Sequence, residues 1–154
     1  MKKLLISLSV VMTLMVMHAQ AAVTITSQSY QKNSTKKKAK WVKATKVIPG
    51  SVVLYMNTLK NKGKDTAEKL TVVNAVPKHM KYVKGTAKCK SKCAITYSVD
   101  NGKTFNVAKK LYVKDKKTKK TRRAKDIDYT TIMWVVNKLK GGNKTVVQYK
   151  ARLK

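Results

Sequence analysis

Hydrophobic and polar residues alternate in short runs from Val23 to the end of the printed sequence. The runs are rich in Val, Thr, Tyr and Ile, and turn-forming residues separate them; no long stretch has the 3.6-residue period of an amphipathic helix. This pattern predicts an all-β chain folded as an antiparallel β-sandwich. The predicted strands are residues 23–30, 41–48, 51–59, 70–74, 94–99, 103–107, 131–136 and 145–153.

The alternation in the last two predicted strands also assigns their faces. Ile132, Trp134 and Val136 share one face and are predicted to be buried, because antiparallel sheets place apolar residues inward and polar residues outward. In the last strand the predicted buried residues are Val147, Tyr149, Ala151 and Leu153, and the predicted outward ones are Gln148, Lys150 and Arg152.

Polar residues add two local predictions. Asp100-Asn101-Gly102 stands between two alternating runs, and an Asn-Gly pair favours the tight turn of a β-hairpin because both residues tolerate positive φ. Asn57 shares a predicted face with Tyr55, so its amide is either buried and hydrogen-bonded or the register of that strand is shifted.

The N-terminal segment has the features of a signal peptide. Lys2 and Lys3 precede an apolar run over residues 4–17, and Ala19-Gln20-Ala21 has the small-x-small pattern of a cleavage site. The alternative is an uncleaved anchor, but a run of 14 residues is shorter than the roughly 20 that span a bilayer. We therefore predict a signal peptide at residues 1–22, an N-terminal strand and basic linker at 23–40 and a single sandwich at 41–154. The predicted location is the periplasm, the cell surface or the extracellular medium.

Five blocks in order resemble the DUF11 conserved-repeat family. They begin with Pro49-Gly50, Tyr55 and Asn61-x-Gly63, and continue with the run from Leu70 to Pro77. The remaining blocks are Tyr82-Val83-x-Gly85-Thr86-Ala87, the run from Ile95 to Phe105, and Tyr129-Thr130-x-Ile132-x-Trp134. Together they cover about residues 42 to 153. The resemblance implies an immunoglobulin-like β-sandwich of an exported cell-envelope protein, and the family has no catalytic motif to carry over.

Cys89 and Cys93 are the only cysteines of the chain. An exported protein meets an oxidising compartment, so these residues are predicted to form a disulfide. The alternatives are a metal or redox site, or free thiols. Three residues separate the two cysteines, whereas a thioredoxin-type motif needs two.

Candidate catalytic groups are few. Cleavage of the signal peptide would leave His79 as the only histidine, beside six carboxylates, and no nucleophile–base pair is evident. Asp126 and Asp128 would share a face if they lay on a strand. The eight basic residues from Lys114 to Lys125 should lower their pKa values, so both are predicted to be ionised partners of cations. We predict no enzyme, no metal and no cofactor.

Positive charge is the dominant chemical property of the chain. Lys and Arg number 36 against 6 Asp and Glu, a net charge of +30, which falls to +28 without Lys2 and Lys3. The basic residues concentrate at Lys32–Lys46 and Lys109–Lys125, and the second cluster is predicted to be a mobile loop or a long hairpin tip. The predicted polyanion contacts are Lys36, Lys37, Lys38, Lys40, Lys114, Lys116, Lys117, Lys119, Lys120, Arg122, Arg123 and Lys125.

Two explanations of this charge remain open. One is contact with anionic polymers, namely lipopolysaccharide, lipid headgroups or acidic polysaccharide; the other is solubility alone. Because Lys is a point charge that lacks the planar fork of Arg, we expect diffuse, weakly selective and salt-sensitive contacts. The predicted function is therefore a non-catalytic envelope module that binds anionic polymers. Alternatives are a structural module that binds another envelope protein, or a nucleic-acid binder indifferent to sequence.

Overall fold

The structure is a computed structural model that describes residues 22–32, 40–115 and 117–154. The described residues form eleven β-strands and two short 3-10 turns, at Ala108–Lys110 and Asp126–Asp128. The strands are β1 (Val23–Lys32), β2 (Trp41–Lys43), β3 (Val52–Asn61), β4 (Ala67–Ala75), β5 (Met80–Tyr82), β6 (Lys88–Cys89), β7 (Cys93–Ser98), β8 (Tyr112–Lys114), β9 (Thr121–Arg123), β10 (Thr131–Leu139) and β11 (Lys144–Leu153).

Two antiparallel sheets make a sandwich-like arrangement, which confirms the all-β prediction. The larger sheet has the order β2-β1-β3-β11-β5, and β6 also pairs with β11. The smaller sheet has the order β4-β10-β7, and β8 and β9 form a separate hairpin. Strand β1 lies between β2 and β3, so residues 23–32 are part of the larger sheet. The predicted signal peptide lies outside the described residues except for Ala22.

The core lies between the sheets and follows the predicted alternation. Ile132, Trp134 and Val136 of β10 are each 0% exposed. Val147 and Tyr149 of β11 face them and are also buried. Burial of such side chains stabilises the fold by about 1.5–3 kcal/mol each. The predicted faces of both strands are therefore confirmed, except that Leu153 at the end of β11 is only half-buried.

Side-chain hydrogen bonds connect the sheets through this core. The hydroxyl of Tyr149 donates to the carbonyl oxygen of Ala75 at 2.8 Å. Asn57 is 2% exposed, and its Nδ2 donates to Oδ1 of Asn74 at 2.9 Å. The buried amide of Asn57 is thus hydrogen-bonded, as a buried polar group must be to avoid a large desolvation cost, and β3 has the predicted register.

A covalent link also joins the sheets. Cys89 and Cys93 form a disulfide, as predicted. Cys89 belongs to β6, which pairs with β11 of the larger sheet, whereas Cys93 belongs to β7 of the smaller sheet. The short loop between them therefore fixes the place where the chain crosses from one sheet to the other.

Two predicted strands are wrong in extent. The prediction of 41–48 is correct only for β2, because the chain leaves β1 after the N–H of Ala44 donates to the carbonyl oxygen of Ser29. It then turns at Pro49-Gly50, where Gly50 has φ +84°. Residues 103–107 do not form the predicted strand; only one antiparallel bridge, between Tyr97 and Asn106, occurs there. There the carboxylate of Asp100 accepts hydrogen bonds from the backbone N–H groups of Lys103 and Thr104, which are consequently unavailable to a strand ladder.

The predicted turn at Asn101-Gly102 forms, but the tight hairpin that it was predicted to close does not, because the second strand is absent. Asn101 has φ +62° and Gly102 has φ +84°, the left-handed conformations that this two-residue turn requires. The hydroxyl of Ser98 accepts the N–H groups of Asp100 and Gly102 and donates to the carboxylate of Asp100. Side-chain hydrogen bonds therefore hold the turn even though only one residue pair follows it.

Candidate anion-binding site

The second basic cluster is a β-hairpin. Strands β8 and β9 pair antiparallel, with Tyr112 opposite Arg123 and Lys114 opposite Thr121. The hairpin alternative of the sequence prediction is therefore correct. Lys116 lies outside the described residues. The exposed cations of this hairpin are Lys114, Lys117, Lys119, Lys120, Arg123 and Lys125.

Apolar residues attach the base of this hairpin to the sandwich. Leu111 and Ala124 flank its strands and are 5% and 8% exposed. The N–H of Ala124 donates to the carbonyl oxygen of Leu111 at 2.9 Å. Both residues pack in the main core with Tyr129. The lysines of the hairpin are thus carried on an element that the core anchors.

Arg122 differs from the other cations of the hairpin because carboxylates of the same region bind it. Its Nη1 and Nη2 donate to the two carboxylate oxygens of Asp128 at 2.7 and 2.9 Å, and its Nε donates to Asp115 at 3.3 Å. Bidentate pairing of this kind is the strongest form of Arg–carboxylate contact. We therefore do not count Arg122 among the proposed anion contacts.

Hydrogen bonds lower the pKa values of Asp128 and Asp115. The hydrogen bonds from Arg122 lower the pKa of Asp128 despite partial desolvation. Hydrogen bonds from the backbone N–H groups of Thr118 and Lys117, and then from Arg122, lower the pKa of Asp115 to about 2. Both carboxylates therefore remain ionised and hold the guanidinium group at neutral pH.

Asp126 and Asp128 do not lie on a strand, so the condition for sharing a strand face is not met. They form a 3-10 turn, in which the N–H of Asp128 donates to the carbonyl oxygen of Lys125. The ion-pair prediction is confirmed for Asp128, which binds Arg122. The turn directs the carboxylate of Asp128 back to the N–H of Lys125 as well, at 2.7 Å.

The hairpin and the Asp100 turn enclose an open cavity of about 980 Å³. Cations and carboxylates are mixed on its walls. Its charged lining residues are Asp100, Lys110, Lys114, Asp115, Lys117, Arg122 and Asp128. Hydrogen bonds from Ser98 and Thr104 hold the pKa of Asp100 far below its usual range. An anion in this cavity would face three ionised carboxylates.

The first basic cluster falls partly outside the described residues. Lys36, Lys37 and Lys38 are not described, and Lys40 is exposed immediately before β2. Other members of the cluster, Lys32 and Lys46, line a second cavity of about 580 Å³. We call this cavity the Trp41 groove. Its lining residues are Gln31, Lys32, Trp41, Lys46, Ile48, Gly50, Ser51, Val52, Val83, Thr86, Lys150 and Arg152.

Strand register places the cations of the Trp41 groove on the outer face of the larger sheet. Lys150 and Arg152 alternate with the buried Tyr149 and Ala151, so they point away from the core. In the adjacent β1–β2 pair, Lys32 lies opposite Trp41. The groove thus combines residues that are more than one hundred positions apart in the sequence.

The indole ring of Trp41 lies near two ammonium groups. The Nζ of Lys150 stands 5.2 Å from the ring centroid, and the Nζ of Lys32 stands 5.9 Å from it. Both distances fall within the range of cation–π attraction. The quadrupole of the ring therefore attracts each of the two cations.

A fixed loop forms another wall of the groove. The N–H of Gly50 donates to the carbonyl oxygen of Leu153, and the N–H of Leu153 donates to that of Ser51. Arg152 donates from Nη1 to the carbonyl oxygen of Gly50 at 2.7 Å. These contacts hold the Pro49-Gly50 turn against β11, but they leave the charge of Arg152 without a carboxylate.

The electrostatics of the groove follow from the distribution of acidic residues. The described residues that line it include four cations and no carboxylate. All six Asp and Glu residues of the chain lie between Asp65 and Asp128, so the first 64 residues contain none. The undescribed residues 33–39 likewise contain no acidic side chain. The groove is therefore a concentration of positive charge whose own lining supplies no counter-charge.

Sequence reasoning identified part of this groove only. It singled out the lysines of residues 32–46, but it treated Trp41 as a strand residue and Lys150 and Arg152 as an ordinary outer face. The useful clue in the sequence was a tryptophan within a long segment that has ten lysines and no acidic residue. The contribution of β11 depends on strand order, which that clue does not contain.

Comparison with known proteins gives no relative. No family model matches the chain, no curated protein is significantly similar to it, and no solved structure matches it. The resemblance to the DUF11 family therefore stays a prediction. Within the described residues there is no helix with the length and hydropathy of a membrane span, and no group of three or more His, Cys, Asp or Glu side chains is placed to hold a metal ion.

Proposed function

We propose that this protein is a non-catalytic, exported β-sandwich module of the bacterial cell envelope that contacts anionic polymers through its lysines. The polymers are lipopolysaccharide, anionic lipid surfaces or acidic exopolysaccharide. The proposal of export is supported by the features of residues 1–22 and by the resemblance of residues 42–153 to an envelope family.

The excess of unneutralised lysine carries the proposal. The chain has 36 basic and six acidic residues, and four of the six acidic side chains already have internal partners. Asp115 and Asp128 bind Arg122, Glu68 pairs with Lys138 at 2.9 Å, and Asp100 binds its own turn. Self-repulsion at such a charge destabilises a compact fold. A partner that supplies negative charge would remove this cost.

The exposed cations of the hairpin suit a diffuse contact. Most are lysines, whose ammonium groups lie at the ends of flexible side chains. Such a group is a mobile point charge, whereas the guanidinium of Arg is a planar bidentate fork. Binding of this type releases counterions, so its affinity falls steeply with salt. We expect a broad preference for anionic matrices with little selectivity between them.

Column chromatography tests the proposal. The purified protein is applied to heparin and to immobilised lipopolysaccharide in dilute buffer, and we expect retention on both until the salt concentration rises. Acetylation of the lysines, which removes their charge, is the matched control and should abolish retention. Elution of the unmodified protein in the flow-through of both columns would refute the proposal. Stronger retention on single-stranded DNA than on either matrix would favour the nucleic-acid alternative.

One observation favours a second candidate, a structural module that binds another envelope protein. The outward-facing residues in the middle of the smaller sheet are uncharged in all three strands. Met133 lies between Val73 and Thr96, and Val135 lies between Thr71 and Ala94; Val73 is 50% exposed. A partner protein that co-purifies and survives about 0.5 M salt, where charge interactions are screened beyond a few Å, would support this candidate.

A further inference from the structure

We propose that the Trp41 groove binds a phosphorylated sugar unit. The inference rests on the proposed function, because it identifies the unit of an anionic envelope polymer that one defined site would recognise. It differs from the diffuse contact above in that it requires a particular cavity, a particular aromatic residue and a ligand with both charged and apolar surface.

The requirement for an anion follows from the charges in the groove. Four cations from three parts of the chain surround one cavity. They are Lys32 of β1, Lys46 of the loop that follows β2, and Lys150 and Arg152 of β11. The indole of Trp41 holds two of the ammonium groups within 6 Å of its centroid. Like charges gathered without a carboxylate attract an anion that bridges them.

Phosphate fits this arrangement better than carboxylate. A phosphate monoester carries nearly two negative charges and three acceptor oxygens, whereas a carboxylate carries one charge and two oxygens. The cations of the groove are mainly lysines, which approach from separate elements as point charges and do not form one planar fork. A tetrahedral dianion can accept from several such donors at once.

The rest of the cavity fits a sugar ring. Ile48, Val52 and Val83 form an apolar wall, and Ile48 is 65% exposed. Gln31 and Ser51 lie among them and offer hydrogen-bonding groups for hydroxyls. The volume of about 580 Å³ is within the range of about 300–1,000 Å³ that is usual for small-molecule sites. Such a mixture of apolar and polar lining suits the C–H face and the hydroxyl rim of a pyranose.

Calorimetric titration with four small probes tests this specificity at about 0.15 M salt, where diffuse contacts are weakened. The probes are glucose 1-phosphate, inorganic phosphate, glucose and glucuronate. We expect glucose 1-phosphate to bind most tightly. Equal affinity for inorganic phosphate would refute the sugar component, and equal affinity for glucuronate would refute the preference for phosphate. Absence of binding by glucose 1-phosphate would refute the proposal as a whole.

Matched variants localise the binding. Lys150→Gln should lower the affinity for glucose 1-phosphate about tenfold, which corresponds to the loss of one charge-assisted hydrogen bond. Lys144→Gln is the control, because Lys144 is exposed and lies on the same face of β11, six residues away. Equal loss in the two variants, or no loss in either, would refute the assignment of the site.

Trp41 is proposed as a positioning residue for the two ammonium groups. Trp41→Ala should lower the affinity for glucose 1-phosphate. Trp41→Phe should retain part of that affinity, because a phenyl face still attracts cations. Thermal melting of both variants checks that the fold persists. Equal affinity in Trp41→Ala and the unchanged protein would refute this role.

The two proposals fail separately. Retention on heparin or lipopolysaccharide, with no binding of glucose 1-phosphate, would refute the groove and leave the proposed function intact. Elution in the flow-through of both columns, with tight binding of glucose 1-phosphate by the groove, would refute the diffuse polymer contact and leave a small-molecule site.

Discussion

Two regions of the molecule have the same number of basic residues but use them differently. Residues 107–130 contain ten Lys and Arg together with three Asp, and residues 22–64 contain ten Lys and no acidic residue. In the first region, Asp115 and Asp128 bind Arg122, so carboxylates organise the hairpin. In the second region, the indole of Trp41 attracts Lys32 and also Lys150, which comes from β11.

This difference separates structural charge from charge that is available to a ligand. A guanidinium bound by two carboxylates has little remaining attraction for an external anion. An aromatic face attracts a cation without neutralising it, because the ring has a quadrupole and no net charge. Counting lysines along the chain makes the two regions look equivalent, and the positions of the carboxylates distinguish them.

The sharpest test of this comparison introduces a carboxylate into the Trp41 groove. Ile48→Glu gives the groove the kind of counter-charge that the hairpin already has. We expect a loss of about 100-fold in the affinity for glucose 1-phosphate, because a like charge beside a bound anion costs several kcal/mol. Ile48→Gln has the same shape without the charge and should lose far less; equal losses in the two variants would mean that charge is not the cause.

How far the sequence predicted the fold depends on the range of the interactions involved. Alternation in β10 and β11 correctly placed Trp134 and Tyr149 in the core, because burial acts on each residue of a strand in turn. The turn at Asn101-Gly102 was predicted for a similar reason, since positive φ is a local requirement. The end of β2 was predicted wrongly, because the chain leaves its partner strand near Ala44 to reach the Pro49-Gly50 turn.

The candidate site was less predictable than the fold because it depends on long-range register. The hairpin cations are close in sequence, and those that the structure describes belong to the single β8–β9 hairpin. The groove instead joins Lys32 to Lys150, which no local pattern connects. Strand order is needed to place β11 near β1. The role of Arg122 was missed for a related reason, since its pairing with Asp128 depends on a 3-10 turn that the sequence pattern did not predict.

A second test removes the carboxylate that organises the hairpin. Asp128→Asn should lower the free energy of unfolding by about 1 kcal/mol, because the bidentate pair with Arg122 is partly exposed and solvent screens it. Asp126→Asn is the matched control in the same turn and should change stability less, since no ion pair of Asp126 occurs among the described residues. Urea denaturation measures both; an equal effect would contradict the structural role of the pair.

Acid should destabilise the hairpin by the same mechanism. The pKa values of Asp115 and Asp128 are lowered in the folded protein, to about 2 for Asp115. Carboxylates with lowered pKa values stabilise the fold above their unfolded pKa, about 3.9, and this contribution is lost as the pH falls through the folded value. The urea midpoint should therefore be nearly constant from pH 7 to about 5 and decrease between about pH 4 and pH 2. Asp128→Asn should show a smaller decrease; an undiminished one would assign the effect to other groups.

The smallest expected effect is that of one exposed hairpin lysine. In a diffuse contact each cation neutralises one phosphate or carboxylate, so Lys120→Gln should reduce the slope of log affinity against log salt by about one and advance elution from heparin only slightly. The combined change of Lys117, Lys119 and Lys120 should add the separate effects, because flexible exposed side chains act independently. Thr121→Gln, at an exposed position in β9, controls for the added side chain. A single lysine whose loss abolished retention would show that the hairpin recognises its partner by a defined contact, which is the property that the comparison assigns to the Trp41 groove.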